Sequence, residues 1–220
     1  MIALFFATAL ESKLITKKIS CKSNLLIRNN MFIKGTINNS EIILCVSGVG
    51  KVNATISSLL AFNHFPISKA VISGIAGAYP SSGLNICDIA IAEKEIIADE
   101  GLLINCEDSN NSFIFMNTET IPLYIPDVMK NLKSGTFLTV SICTGNIQRA
   151  KFLEKNFNAI CENMEGAAIA KVAQIYGIPC IELRSISNII TDRTKLLTSE
   201  QVSRTAEVVQ KFILDNLNLI

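Results

Sequence analysis

The sequence predicts an α/β fold of three layers, in which helices cover both faces of a central mixed, largely parallel twisted sheet. Apolar strand-like runs alternate with helical patterns of ten or more residues, an order typical of parallel sheets covered by helices. The chain has 220 residues, 49% of them hydrophobic, and no Pro/Gly/Ser-rich linker or charge block divides it. We therefore expect a single domain over residues 1–220.

Seven runs are predicted to be strands because they are apolar and rich in Ile, Val, Leu and Phe. In chain order they are residues 2–7, 31–37, 41–46, 69–73, 86–97, 136–141 and 180–187. Short antiparallel pairing near residues 25–46 would make the sheet mixed. The polar residues 105–120 are expected to form a surface loop.

Four stretches carry apolar residues at helical spacing and are predicted to be helices. They are residues 51–64, 147–156, 164–176 and 199–217. Asn163 is expected to cap the third helix, which should end at Gly177 before Pro179. Ser199 is expected to cap the last helix.

Charge and hydropathy exclude two classes of partner. Twenty basic and nineteen acidic residues give a net charge of +1, and the basic residues are scattered, so we expect no nucleic-acid binding. The opening MIALFFATAL lacks a positively charged start and is better explained as a buried strand than as a signal peptide. The charge-free residues 70–87 contain three glycines and a proline, which make a poor membrane helix. We expect a cytoplasmic protein with no membrane contact.

The cysteines and the histidine favour no metal site. Seven cysteines form no CxxC pair, and most lie in apolar runs, so we expect reduced and buried thiols. His64 is the only histidine and is expected at a helix end. We therefore expect neither a metal ion nor a cofactor.

Three segments follow predicted strands and carry groups that could bind a ligand. They are residues 8–11 with Glu11, residues 74–77 with two glycines, and Asn188. In open α/β sheets, ligands bind at the carboxyl ends of the strands, so we expect these segments to meet at one site. Position alone leaves Glu11 open to a role as a first-turn acid that complements a helix dipole, and for Glu165 position alone favours that role.

Residues 161–188, CENMEGAAIAKVAQIYGIPCIELRSISN, combine a Met-Glu pair at a helix start with an Asn after the next strand. This pattern resembles the nucleoside phosphorylase and nucleosidase family, in which the strings ENMEGAA and SISN are most similar to the futalosine hydrolases. The resemblance implies hydrolysis of the N-ribosidic bond of futalosine, releasing hypoxanthine, in menaquinone biosynthesis. It also implies a small-molecule nucleoside substrate and a homodimer or higher homo-oligomer.

The resemblance assigns roles to the sugar side of the site. Glu11 matches the carboxylate that orients and deprotonates the attacking water, and Glu165 matches the one that holds the ribose hydroxyls. Met164 matches the residue that packs against the ribose. Asn163 stands where adenosine-type nucleosidases usually have Glu. The turn Ile75, Ala76 and Gly77 is expected to line the base and ribose pocket.

Asn188 indicates the leaving base by its chemistry. Its side chain offers an amide donor and a carbonyl acceptor together, which complement a 6-oxo purine and its protonated imidazole nitrogen. Relatives that act on 6-amino purines usually carry Asp here, and Asn cannot serve as a general acid. We therefore expect hypoxanthine to leave, with its proton coming from water or a relayed donor. For the benzoate of futalosine we expect Arg193, or otherwise Arg149.

Other functions remain open on the sequence. A methylthioadenosine, adenosylhomocysteine or aminofutalosine nucleosidase would differ in the nucleoside that it cleaves. A purine nucleoside phosphorylase would use phosphate, although Ile75 is apolar where phosphate users have Ser or Thr. A purine-nucleoside binding module would keep the pocket without turnover. The segment SGVGKVNA fits neither the Walker loop nor the GxGxxG spacing.

Overall fold

The computed structural model describes residues 1–104 and 112–219, which contain twelve strands and five α-helices. The strands are β1 Ile2–Phe6, β2 Ser20–Ile27, β3 Asn30–Ile37, β4 Ser40–Val46, β5 Lys69–Ala78, β6 Ile89–Ile97, β7 Gly101–Ile104, β8 Ser112–Phe115, β9 Thr120–Pro122, β10 Lys133–Thr139, β11 Ala159–Asn163 and β12 Cys180–Ile189. The α-helices are α1 Lys13–Lys18, α2 Lys51–His64, α3 Ile147–Phe157, α4 Gly166–Ile175 and α5 Ser199–Asn216. Short 3₁₀ helices span Asp127–Met129 and Leu217–Leu219.

The main sheet is mixed, as predicted. Its strands lie in the order β11-β10-β6-β12-β5-β1-β4-β3-β2, with β9 beside β6. Parallel pairs join β1 to β4 and β5, β5 to β12, and β10 to β6 and β11. Antiparallel pairs join β2, β3 and β4, and also join β6 to β12 and β9. Strands β7 and β8 form a separate two-stranded sheet.

Part of the sheet closes on itself. Strand β11 pairs in parallel with β10 and antiparallel with β5, where Glu162 lies opposite Gly77. Strands β5, β12, β6, β10 and β11 therefore form a ring. Buried polar residues from four of these strands meet below the first turn of α4, at the end of the ring that carries the candidate site.

Two hydrophobic cores lie on opposite faces of the sheet. One contains residues of α2 and α4, such as Phe62 and Ala170, together with strand residues such as Phe5. The other contains Ile15 of α1 and Val209 of α5. Helices therefore cover both faces, which confirms the predicted three layers.

Two strands that border the site are longer than predicted. β5 continues through residues 74–77, which we expected to form a turn, and β12 includes Asn188 instead of ending before it. The glycines suggested a turn, but β12 pairs with β5 from Cys180 as far as Ile189 and holds these residues extended. Strands β2 and β11 and helix α1 were not predicted, because polar residues interrupt or shorten the apolar runs of β2 and β11 and α1 buries only Ile15.

Two predicted helix caps were wrong. Thr198 caps α5: its hydroxyl accepts from Gln201 N, and the Gln201 side chain accepts from Thr198 N. Glu165 takes the N-cap position of α4, while Asn163 ends β11. The side-chain Oδ1 of Asn163 nevertheless accepts from the Glu165 and Gly166 amides, so it still satisfies donors at the start of this helix.

The six cysteines in the described part of the chain are free thiols. Cys45, Cys161 and Cys180 are buried as expected, and burial raises the pKa of each well above its usual value. Cys21 and Cys143 are exposed, against expectation, because neither lies in an apolar strand run. Cys106 lies outside the described residues.

Two further expectations concern the end of helix α2 and a surface loop. His64 is the last residue of α2, as predicted. The predicted surface loop 105–120 falls partly outside the described residues, and its later part contains β8 and the start of β9.

None of the helices in residues 1–104 and 112–219 has the length and apolar character needed to cross a membrane.

Candidate active site

A cavity of about 280 Å³ opens at the carboxyl ends of β1, β5 and β12. It brings together every residue in our predicted site, which the sequence distributes over more than 180 positions. These residues are Glu11, Ile75, Ala76, Gly77, Asn163, Met164, Glu165, Asn188 and Arg193. Arg149 is not among the described residues that line it. In the described ranges no group of three or more His, Cys, Asp or Glu is arranged to hold a metal ion.

Glu11 is held at one wall by three donors. Its Oε2 accepts from the Thr8 amide at 3.0 Å and the Thr8 hydroxyl at 2.8 Å, and its Oε1 accepts from the Ile75 amide at 3.2 Å. The turn after β1 therefore fixes this carboxylate against β5. Its side chain is buried yet borders the cavity, so it is oriented to act on a ligand or a water.

Gly74 provides the space in which Glu11 meets Arg184. A Cβ on Gly74 would lie 2.7 Å from Glu11 Oε1 and 3.0 Å from Arg184 Nη1. The residue also has a φ of +151°, which L side chains rarely adopt. The carboxylate and the guanidinium therefore face one another across a position that only glycine leaves open.

Replacing Gly74 with Ala is expected to lower the free energy of unfolding by roughly 1–3 kcal/mol, because the added methyl group displaces a buried ion cluster. Chemical denaturation checks this. Gly83→Ala is the matched control, since Gly83 also has a positive φ but its Cβ would meet nothing within 4 Å. Equal losses in the two variants would show that backbone strain alone is responsible.

Glu165 faces Glu11 from the start of α4. Its Oε1 accepts from the Gly50 amide at 2.9 Å, and its Oε2 lies 3.7 Å from Arg184 Nη1. Burial raises the pKa of Glu165, while Arg184 and the Gly50 amide oppose that shift and Glu11 adds to it. The protein therefore holds two carboxylates close together, and the positive charge of Arg184 offsets part of their negative charge.

Arg184 is the main residue of the site region that our prediction did not include. It is 1% exposed, its Nε and Nη2 each lie 2.8 Å from Glu182 Oε1, and Nη2 donates to Asn163 Oδ1 at 3.1 Å. Burial acts to lower the pKa of Arg184, but the carboxylates around the guanidinium raise that pKa above its usual value. The sequence does contain a clue, since Glu182 and Arg184 lie two apart in a predicted strand, on either side of the apolar Leu183.

A β-bulge directs Asn188 to the cavity. The pairing of β12 with β5 shifts between Ile186, opposite Ala76, and Asn188, opposite Gly77, so Ser187 is the extra residue. The Ser187 hydroxyl lies 2.9 Å from Asn188 Oδ1 and 3.1 Å from the Ala76 carbonyl oxygen. Among the described residues the Asn188 amide group has no acceptor, so its donors are available to a ligand.

Glu162 lines the cavity but was not part of our predicted site. It accepts from the Thr144 amide at 2.6 Å, the Thr144 hydroxyl at 2.7 Å and the Tyr79 hydroxyl at 2.9 Å. These bonds hold the loop before α3 against the cavity wall. Residues 144–149, TGNIQR, are therefore anchored through Thr144 to Glu162, the first Glu of ENMEGAA.

The same loop supports Arg193. The Arg193 amide donates to the Gly145 carbonyl at 2.9 Å, and Asp192 accepts from the Ile147 amide at 2.9 Å. The half-buried Arg193 side chain lines the cavity beside apolar Leu197. The cavity lining thus includes a cation and hydrophobic surface.

Residues 98–101, ADEG, lie near the start of α2 and contact it through Asp99. Asp99 accepts from Lys51 Nζ at 2.6 Å and also from the Ser141 amide. Burial works to raise the pKa of Asp99, but these two donors hold it below its usual value. Because Lys51 follows Gly50, this ion pair fixes the amide that donates to Glu165.

The chain is similar to known proteins over most of its length. The family model described as the phosphorylase superfamily matches residues 2–215. The chain is 30% identical over 192 residues to an aminodeoxyfutalosine nucleosidase of Helicobacter pylori, covering 84% of this chain and 83% of that protein. It is 29% identical over 179 residues to a futalosine hydrolase of Thermus thermophilus, covering 76% and 79% respectively.

A solved structure has the same fold. It is the 5'-methylthioadenosine/S-adenosylhomocysteine nucleosidase of Helicobacter pylori in complex with a 4-aminopyrrolopyrimidine inhibitor. It superposes with a TM-score of 0.85 at 26% identity, covering 100% of this chain and 98% of that one. The similarity therefore extends over the whole sheet and both helical layers.

Proposed function

The chain belongs to the phosphorylase superfamily, and on that premise we propose that it is a nucleosidase that hydrolyses the N-ribosidic bond of futalosine. Its products would be hypoxanthine and dehypoxanthine futalosine, as in menaquinone biosynthesis. The observation that carries this proposal is the arrangement of Glu11, Glu165 and Asn188 around one cavity. Relatives named as nucleosidases and as a futalosine hydrolase support the same reaction class.

In this proposal water is the nucleophile, and Glu11 accepts its proton. Cleavage of a ribosyl bond passes through a cation-like sugar, which nearby carboxylates stabilise. Glu165 would hold the ribose hydroxyls and favour that charge, with Met164 packed against the ribose. Among the described lining residues, three are carboxylates and only Arg193 is a cation. This balance disfavours bound phosphate and supports hydrolysis over phosphorolysis.

Asn188 would recognise the base as it leaves. Its Nδ2 donates to the 6-oxo oxygen, and its Oδ1 accepts from the imidazole nitrogen that gains a proton when the C–N bond breaks. The electron pair of that bond goes to the base, and its proton comes from solvent or a relayed donor. Ile75, Ala76 and Gly77 would contact base and ribose, while Arg193 would bind the benzoate.

A second candidate is a nucleosidase for a 6-amino substrate, either methylthioadenosine, adenosylhomocysteine or aminofutalosine. It is favoured by the names of relatives that match this chain as well as the futalosine hydrolase does. Asn188 argues against it, because an amide cannot supply a proton to an adenine leaving group.

Incubation of the purified protein with each nucleoside in phosphate-free buffer is expected to release hypoxanthine from futalosine with the highest kcat/KM. Chromatography of the free base measures this directly. Faster release of adenine from a 6-amino nucleoside would favour the second candidate. Product formation that requires phosphate would indicate a phosphorylase, and binding without any turnover would indicate a binding module.

A homodimer or higher homo-oligomer also belongs to this proposal. The outer face of α2 carries the exposed apolar residues Val52, Ile56 and Leu59 at helical spacing, 73%, 44% and 37% exposed. Such a stripe is typical of a surface that another copy covers. The free thiols fit action in a reducing compartment, for which we propose the cytoplasm.

A further inference from the structure

Two buried glutamates that have no part in the proposed reaction lie directly beneath the candidate active site. Glu95 on β6 and Glu182 on β12 are both 0% exposed. Oxygens of both carboxyls lie within 3.0 Å of the point where a Cβ on Gly166 would stand. Glycine at this position of ENMEGAA therefore leaves room for two acids that face each other below the first turn of α4.

The hydrogen bonds around this pair lack one donor. Glu182 Oε1 accepts from Arg184, and Glu95 accepts from the Thr139 hydroxyl at 2.8 Å and from the Asn163 amide group. Glu182 Oε2 is buried and has no partner among the described residues. A bare carboxylate oxygen without a donor is costly to bury. A proton between the two acids would give this oxygen a partner.

The charges around the pair lead to the same conclusion. Four carboxyls, of Glu95, Glu182, Glu165 and Glu11, interact with Arg184, the one cation that the described part of the chain places among them. Burial and the charge of Glu182 raise the pKa of Glu95 well above its usual value, and burial raises that of Glu182. The other titratable groups facing the pair are the thiols of Cys161 and Cys180.

We propose that Glu95 and Glu182 share one proton and act together as positioning residues for Arg184 and Asn163, and through them for Glu165. Glu182 fixes the guanidinium, and Glu95 fixes the Asn163 amide, whose oxygen accepts from both Arg184 and the Glu165 amide. The pair would keep a single negative charge opposite Arg184. This role deepens the proposed nucleosidase function and depends on it only for its kinetic consequence.

The shared proton also has a defined effect of pH. The pKa of the pair is raised in the folded protein, so the stability that it contributes is present at low pH. That stability is lost as the pH rises through the folded-state pKa and the second carboxyl ionises beside the first. The free energy of unfolding should therefore decline as the pH rises from the unfolded-state pKa of a glutamate to the raised pKa of the pair, and kcat should decline on the alkaline side of that raised pKa.

Glu182→Gln tests the proposal. The Gln oxygen can still accept from Arg184, and its amide puts a donor where Oε2 has none, so the variant reproduces the shared-proton state. We expect kcat to stay within about threefold of wild type near neutral pH, with the alkaline decline removed. Glu182→Leu, which cannot hold Arg184, should lower kcat at least roughly tenfold with a smaller change in KM. Glu93→Gln, at an exposed position on the same strand as Glu95, is the control.

Infrared spectroscopy tests the proton itself and needs no substrate, so it stays informative if futalosine is not cleaved. The wild type and Glu93→Gln should show the carbonyl band of a buried protonated carboxylic acid at neutral pH, and Glu182→Gln should lack it. The proposal is overturned if the wild type lacks this band or if Glu182→Gln retains it. It is equally overturned if Glu182→Gln folds with the wild-type thermal midpoint yet loses as much kcat as Glu182→Leu.

Discussion

Replacing Glu11 with Gln is expected to lower kcat for nucleoside hydrolysis by about 10³-fold, because a general base typically contributes between 10² and 10⁴. The amide cannot accept the proton of the attacking water, but it keeps the size of the side chain and one oxygen, which can accept either from the Thr8 donors or from the Ile75 amide. KM should change little, since the ribose and base contacts lie elsewhere. Steady-state kinetics on the nucleoside with the highest kcat/KM measures the effect.

Glu154→Gln is the matched control for this variant. Glu154 also accepts from a backbone amide, that of Ser81 at 2.8 Å, but it is not among the described residues of the cavity. It should retain wild-type kcat. The role of Glu11 as base would be rejected if Glu11→Gln folded normally and kept more than about a tenth of the wild-type kcat.

Replacing Asn188 with Asp is expected to shift the ratio of kcat/KM for a 6-amino over a 6-oxo nucleoside upward by about 10²-fold. Asp loses the Nδ2 donor that the 6-oxo oxygen needs. It gains an oxygen that accepts from an exocyclic amine and, when protonated, can donate to the leaving base. The Ser187 hydroxyl can still donate to the remaining oxygen. Parallel assays with futalosine and aminofutalosine give the ratio.

Asn146→Asp controls for the charge change. Asn146 caps α3 by accepting from the Arg149 amide, which Asp does equally well, and it lies at an exposed position. Its substrate ratio should match that of the wild type. An unchanged ratio in Asn188→Asp would contradict the assignment of Asn188 to base recognition.

The main features of the fold could be predicted because burial determines them. Helix α2 begins and ends where the sequence pattern predicts, and the predicted strands 2–7 and 41–46 recur as β1 and β4 to within a residue. Strand β11 was missed because its polar side chains, Glu162 and Asn163, bind partners that are distant in sequence. A strand of this kind has no apolar run by which to recognise it.

The candidate site could be predicted as a meeting point of strand ends, since parallel strands carry their carboxyl ends to one edge. The ion cluster beneath it could not. Glu95, Glu182 and Arg184 occupy strand positions that, in a sheet with one solvated face, would point to water. Two structural features show that these charges are buried together. Strand β11 pairs with β5, and Gly166 has no side chain to fill the space that the two glutamates occupy.

The most direct test of the account is hydrolysis of futalosine in phosphate-free buffer made with oxygen-18 water, followed by mass spectrometry of both products. The account predicts free hypoxanthine without label and one oxygen-18 atom at the anomeric position of dehypoxanthine futalosine. No release of hypoxanthine at high enzyme concentration, or release that occurs only when phosphate is added, would contradict it.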